Sequence, residues 1–143
     1  MASTTDICDS FKVELMTAVH DFTITTGDAF YWALYTSAAT HGPTTTAYST
    51  TAELADATGG YDRPGETLPN ITPVLNGGQA VTSWNDPTWV TASFTAASTL
   101  LHNNSSQAVA VWDFGGDQTA SGGDFVLQLP ASVTADNAIL RLA

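Results

Sequence analysis

Short apolar segments separated by turn residues recur along most of this chain, and that pattern constrains the fold more than any other feature. In residues 89–99 apolar and hydroxyl side chains alternate, with Val90, Ala92 and Phe94 on one face, which is typical of a half-buried strand. Turn clusters such as Asn76-Gly77-Gly78 interrupt the segments. About seven or eight segments recur at roughly ten-residue spacing, so the sequence predicts an all-β fold, an antiparallel β-sandwich or jelly-roll-like barrel.

One segment near the N-terminus departs from this pattern and follows helical spacing. Its apolar residues recur every three or four positions, Asp6 can cap its start and Asp9 would lie in its first turn. We therefore predict a short amphipathic α-helix over about residues 7–20, followed by the β-sandwich over about residues 22–143 of a single domain. Its apolar stripe has to pack either on the body of this domain or on a neighbouring subunit, and we predict a contact with another subunit or the capsid through Ile7, Phe11, Leu15 and Val19.

The charge balance excludes several classes of partner. The 143 residues include 14 acidic side chains and 3 basic ones, a net charge of −11. Three cations cannot neutralise a run of phosphates, so we expect neither nucleic-acid binding nor adhesion to an anionic membrane surface. The chain also has no apolar run of about 18 residues, the length that a membrane-spanning helix needs.

The N-terminus indicates where the chain is made, and the cysteine content indicates what can stabilise it. Residues 1–8 lack the basic and apolar regions of a signal peptide, which predicts synthesis in a host cytoplasm without a leader. Cys8 is the only cysteine, so no disulfide can form within the chain. Stability is expected to come from packing or from assembly with other chains.

A glycine-rich acidic stretch, predicted to be a loop over residues 115–124, is the best candidate for a metal site. Asp113, Asp117 and Asp124 could converge on a hard cation such as calcium, with backbone carbonyls completing the coordination. The stretch lacks the ligand spacing and the closing Glu of an EF-hand, and Asp-Gly turns are more often solvated. We therefore predict no cofactor, with calcium as the alternative.

Residues suited to catalysis occur, but not in a recognisable setting. His20, His41 and His102 have no metal-ligand spacing, and no Gly-x-Ser-x-Gly motif is present. Glu53 and Glu66 could in principle act as a carboxylate pair, as in glycoside hydrolases. Glu53 also closes a capping-box pattern that predicts one or two helical turns within residues 50–57. We predict that the protein is not an enzyme.

Four aromatic residues near predicted turns leave two interpretations open. Trp84, Trp89, Tyr48 and Tyr61 could stack on sugar rings at the surface. Residues of this kind more often fill the ends of a small sandwich or lie in a subunit interface.

Several stretches carry a resemblance to a known family. The similarity runs over almost the whole chain, and the stretches that carry it include Asp113-Phe-Gly-Gly-Asp117; they are residues 10–15, 27–48, 52–61, 108–117, 123–130 and 138–143. This pattern resembles a family of small virion structural proteins of tailed phages and prophages. The resemblance implies a β-rich particle component and no catalytic residue.

The resemblance and the acidic surface together lead to a functional prediction. We expect a capsid decoration (cement) protein on the outside of the shell, with the major capsid protein and copies of itself as partners and a homotrimer as its assembly. The alternative is a tail or receptor-binding component that recognises host glycans. A capsid component and a tail component differ in copy number, which the sequence does not give.

Overall fold

The computed structural model describes residues 2–129 and 137–143, and strands dominate this part of the chain. The prediction of an all-β fold with one short helix is confirmed. The elements are β1 (Asp6–Ile7), α1 (Asp9–Met16), β2 (Phe30–Tyr35), β3 (Glu66–Thr67), β4 (Val74–Asn76), β5 (Gln79–Thr82), β6 (Thr88–Asn103), β7 (Ala108–Val126) and β8 (Leu140–Leu142).

The described strands form two antiparallel sheets. A five-stranded sheet has the order β1-β7-β6-β2-β3, and a three-stranded sheet has the order β4-β5-β8. The larger sheet ends at β1 and β3, so the described part of the chain is a sandwich-like pair of sheets and not a closed barrel. The barrel alternative of our prediction is therefore wrong.

Aromatic rings join the two sheets. Trp84, which follows β5, is fully buried, and its ring lies 5.4 Å from that of Phe30 and 5.8 Å from that of Trp32, both on β2. Both pairs meet edge to face, the arrangement that aromatic quadrupoles favour. These ring contacts therefore join the end of the small sheet to β2 of the large one.

Strands β6 and β7 form a long hairpin that also contains the predicted glycine-rich loop. Thr95 lies opposite Thr119 and Ala96 opposite Gln118, so residues 115–124 belong to β7 and the loop prediction is wrong. Gly115, Gly116 and Gly122 have positive φ angles, and the register shifts along the hairpin. Glycine here accommodates bulges within a paired strand, because it adopts these angles without steric cost.

The helix is shorter than predicted at both ends. Residues 6 and 7 are held in β1 opposite Val111 and Ala110, so Cys8 and not Asp6 precedes the first helical turn. At the other end Ala18 has φ 58°, and the Val19 N–H donates to the Glu14 carbonyl at 2.9 Å. This is a Schellman motif, which ends the helix at Met16. Helices in the described part of the chain are too short and too polar to cross a bilayer.

Candidate functional site

An apolar groove lies between α1 and the three-stranded sheet. It encloses about 510 Å³, within the range of known ligand and contact pockets. Phe11, Leu15 and Met16 line it from the helix, and Leu140 and Leu142 line it from β8. The groove thus forms where the short helix and the edge of the small sheet fail to close on each other.

Strand pairing extends this apolar surface beyond the groove. Ala80 lies opposite Leu75 on one side and opposite Leu142 on the other, and residues that face each other across a ladder share one face of the sheet. Leu75 is 78% exposed, Leu142 58% and Met16 of the helix 89%. Exposed apolar side chains that cluster in this way mark a contact surface more often than a solvated one.

Two of the three cations in the chain lie at this groove. Lys12 and Arg141 line it, and none of its described lining residues is acidic. Lys12 Nζ lies 2.7 Å from the Asp9 carboxylate, and both side chains are more than half exposed. Lys12 is therefore already paired at this groove, in a chain whose net charge is −11.

The groove includes three of the four residues that the sequence predicts as an interface. Ile7, Phe11 and Leu15 line it, and Phe11 anchors the helix with only 3% of its side chain exposed. Val19 is not among the lining residues, because the helix ends before it and the Schellman turn carries it away from the stripe. Met16 and the β8 residues also line the groove, and the helical pattern alone does not predict them.

The three predicted calcium ligands are held apart by strand pairing. Asp113 lies opposite Ser98 and lines a small cavity of about 210 Å³. The Asp124 carboxylate accepts a hydrogen bond from the Thr91 N–H at 3.2 Å, farther along the hairpin. Within residues 2–129 and 137–143, no three His, Cys, Asp or Glu side chains come together in a way that could hold a metal ion.

Three of the four aromatic residues considered for sugar binding are buried. Trp84 and Tyr61 are fully buried and Trp89 is 4% exposed, while Tyr48 is half-buried. The Tyr61 ring packs 6.4 Å from Trp89 and 6.2 Å from Phe94. Tyr61 and Trp89 fill the core beneath the β6/β7 hairpin and Trp84 packs against β2, so none of these three offers a stacking platform at the surface.

A buried carboxylate network surrounds Glu53, and the sequence did not predict it. Tyr61 Oη donates to Glu53 Oε1 at 2.6 Å, Tyr48 Oη donates to Oε2 at 2.7 Å, and Arg63 Nε lies 3.0 Å from Oε2. The predicted helical turns are absent, because Glu53 instead forms an isolated bridge with Tyr35.

Burial has the largest effect on the pKa values of the groups in this network. Burial raises the pKa of the Glu53 carboxyl, and the hydrogen bonds from Tyr61 and Tyr48 and the charge of Arg63 oppose that shift. Burial and the hydrogen bond to Glu53 raise the pKa of Tyr61. Both carboxylate oxygens already accept internal hydrogen bonds, so the network ties the 48–63 segment to β2 and is not exposed to a substrate.

His20, His102 and Cys8 likewise form hydrogen bonds within the fold. His20 Nε2 lies 2.7 Å from Glu14 Oε2, and the His102 ring stacks on Tyr48 at 4.4 Å. Burial lowers the pKa of both His102 and His41. Burial also raises the pKa of the Cys8 thiol to about 12, so the thiolate that a nucleophile requires is scarce at neutral pH.

The fold and the groove define an all-β protein with one conspicuous apolar surface. No protein-family model, no curated protein and no solved structure matches the chain. Function therefore has to be inferred from the surface itself.

Proposed function

We propose that this protein is a structural component of a phage virion, a decoration protein that assembles with copies of itself and with the major capsid protein on the outer shell. The groove beside α1 carries this proposal. The exposed groove residues Met16 and Leu142, together with Leu75 on the adjoining sheet face, form an apolar surface that is stabilised when another protein covers it.

The charge of the chain supports a role on the outside of a particle. At −11, the surface repels nucleic acid during packaging and resists nonspecific association. Such repulsion also acts between copies, so the contacts between them have to be apolar at their centre. The groove has that character.

The chemistry of the interior supports assembly over catalysis. The carboxylate of Glu53 is buried, and both of its oxygens accept hydrogen bonds from tyrosine hydroxyls of the same chain. The receptor-binding alternative gains no support from Trp84, Trp89 or Tyr61, which lie in the core.

A reconstitution experiment tests the proposal. Particles of the encoding phage, produced without this protein, are mixed with the purified chain, and bound protein is measured after sedimentation. We expect saturable binding of the wild type. We expect Met16→Glu to weaken binding strongly, because it places a carboxylate in the apolar contact on which assembly depends.

Val13→Glu is the matched control, since Val13 lies on the same helix, is 64% exposed and is not among the residues that line the groove. It should bind like the wild type. No binding of the wild type, or equal loss with both substitutions, would contradict the proposal.

A further inference from the structure

An asparagine precedes the turn that joins β4 to β5. Asn76 pairs with Gln79, so the loop between the two strands is Gly77-Gly78. Both glycines have positive φ angles, 56° and 79°, as a two-residue type I′ turn requires. Asn76 and both glycines are exposed, and β4 is an edge strand of the small sheet. The bond between Asn76 and Gly77 therefore lies at an exposed tip of this sheet.

The backbone nitrogen of Gly77 is suited to attack the side chain of Asn76. Asparagine is a labile residue, because the backbone nitrogen that follows it can attack its Cγ and close a five-membered ring. A side chain on the following residue hinders that approach. Gly77 has no side chain, and its nitrogen lies outside the ladder pair that Asn76 forms with Gln79. The attacking group is thus sterically open and takes no part in the strand ladder.

We propose that Asn76 is a site of spontaneous covalent modification, which converts this residue to aspartate and isoaspartate with water as the only co-reactant. The bond from the Gly77 nitrogen to Asn76 Cγ forms, the Cγ–Nδ2 bond breaks, and the Gly77 amide proton leaves with Nδ2 as ammonia. Water then opens the ring. Cleavage at Cγ gives aspartate, and cleavage at the main-chain carbonyl carbon gives isoaspartate. Neither step oxidises or reduces an atom.

Ring closure requires only a local opening of the hairpin. The backbone of Asn76 is extended in β4, so this residue has to leave its pair with Gln79 before its Cγ can reach the Gly77 nitrogen. That pair is the last one before the turn, and all three residues of β4 are exposed. Strand ends with so little buried surface open at a small cost in free energy. The reaction is therefore expected in the folded protein.

The other asparagines that the structure describes are less suited to this reaction. Asn70 and Asn103 are buried, with 5% and 1% exposure. Asn104 is exposed in a turn, but the Ser105 N–H that would have to attack it donates to Asn103 Oδ1 at 3.0 Å. Two more are exposed but precede a residue with a side chain, namely Asn85 and Asn137. Exposure and an open attacking nitrogen thus coincide at Asn76.

The products change the small sheet in two ways. Both products place a new negative charge beside Leu75, which lies opposite Ala80 on the apolar face that adjoins the groove. Isoaspartate also adds one methylene to the main chain, and this longer loop cannot keep the two-residue turn that pairs residue 76 with Gln79. The inference goes beyond the proposed function and does not depend on it, because the reaction needs only the hairpin and water.

Peptide mapping by mass spectrometry, after incubation of the full chain at mildly alkaline pH, tests the proposal. We expect Asn76 to convert at least about fivefold faster than Asn104, the factor that one hydrogen bond on the attacking nitrogen accounts for. The rate at Asn76 should rise with pH, because hydroxide removes the proton of the attacking amide. Electron-transfer fragmentation should identify both aspartate and isoaspartate at this position.

Asn76→Gln is the test variant, and Asn104→Gln is its matched control. Both variants keep a carboxamide at an exposed position, but the longer Gln side chain has to close a less favourable six-membered ring. Asn76→Gln should abolish the more acidic species that ion-exchange chromatography separates from the intact protein, and Asn104→Gln should leave its amount unchanged. Asn76→Asp should elute with the aspartate product.

Three results would overturn the proposal: an Asn76 that stays intact, conversion of Asn76 no faster than that of Asn104, or conversion of Asn76 only in the chain unfolded by urea. The last result would mean that the pair with Gln79 holds Asn76 too firmly for its Cγ to reach the Gly77 nitrogen.

Discussion

Tyr61→Phe is the substitution that most directly separates a buried structural aromatic from a surface binding residue. The Tyr61 hydroxyl has two partners inside the protein. It donates to Glu53 Oε1 at 2.6 Å and accepts from the Leu34 N–H of β2 at 3.1 Å. Replacing Tyr by Phe removes one oxygen atom from a fully buried site and leaves both partners unsatisfied.

The cost follows from those two contacts. A hydrogen bond to a charged group contributes about 1.5–3 kcal/mol, and an unsatisfied buried N–H costs about 1–3 kcal/mol. We expect the free energy of unfolding to fall by about 3 kcal/mol, which lowers the melting temperature by about 10 °C for a chain of this size. Urea denaturation followed by tryptophan fluorescence measures the loss.

Two other tyrosines calibrate the result. Tyr48→Phe removes one half-buried hydrogen bond to Glu53 and should cost about 1–2 kcal/mol. Tyr31→Phe changes a partly exposed hydroxyl and should cost less than about 0.5 kcal/mol. A Tyr61→Phe variant as stable as Tyr31→Phe would refute the burial argument, and one with unchanged stability but lost glycan binding would support the receptor-binding alternative.

Three further predictions concern the helix end, pH and salt. Ala18→Gly should raise the free energy of unfolding by about 0.5–1 kcal/mol in urea melts, because a left-handed residue at φ 58° favours glycine; a loss of stability would contradict this. Burial lowers the pKa of His41 below its usual value of about 6.5, so the unfolded chain binds more protons and stability should fall as pH drops from 7 to 5.5. His41→Gln should flatten that slope, and an unchanged slope would exclude His41 as its source. Raising salt from about 10 to about 150 mM should strengthen self-association or leave it unchanged in light scattering, because it screens repulsion between copies; dissociation would mean that ion pairs dominate.

Regular alternation made the long hairpin partly predictable. Ala92 and Ala96 are fully buried, as the alternation over residues 89–99 predicts. Val90 departs from it, because the register shifts between Trp89 and Ala92 and Thr91 has φ 51°. A bulge of this kind depends on pairing with a distant strand, so local sequence does not reveal it.

Local residue preferences gave a wrong prediction where pairing with another strand determines the structure. Gly and Asp in residues 115–124 favour turns, yet β6 holds this segment as a strand. Ala18 takes the left-handed position that follows the helix, where glycine is the usual signal, so the sequence carries no stop signal there.

The candidate site was predictable only from its helical side. The spacing of Phe11 and Leu15 indicates an apolar stripe, whereas Leu142 joins the groove only because β8 pairs with β5 from far along the chain. The Glu53 network was missed for the same reason. The pKa of the Glu53 carboxyl is raised by its burial beside β2, and no local sequence pattern encodes that burial.

Quantitative mass spectrometry of purified particles tests the central claim, that this protein works by covering a shell together with copies of itself. We predict a number of copies per particle comparable to that of the major capsid protein, on the order of hundreds, as expected for a symmetric outer shell. Absence from the particle, or only a handful of copies as in a tail structure, would contradict it.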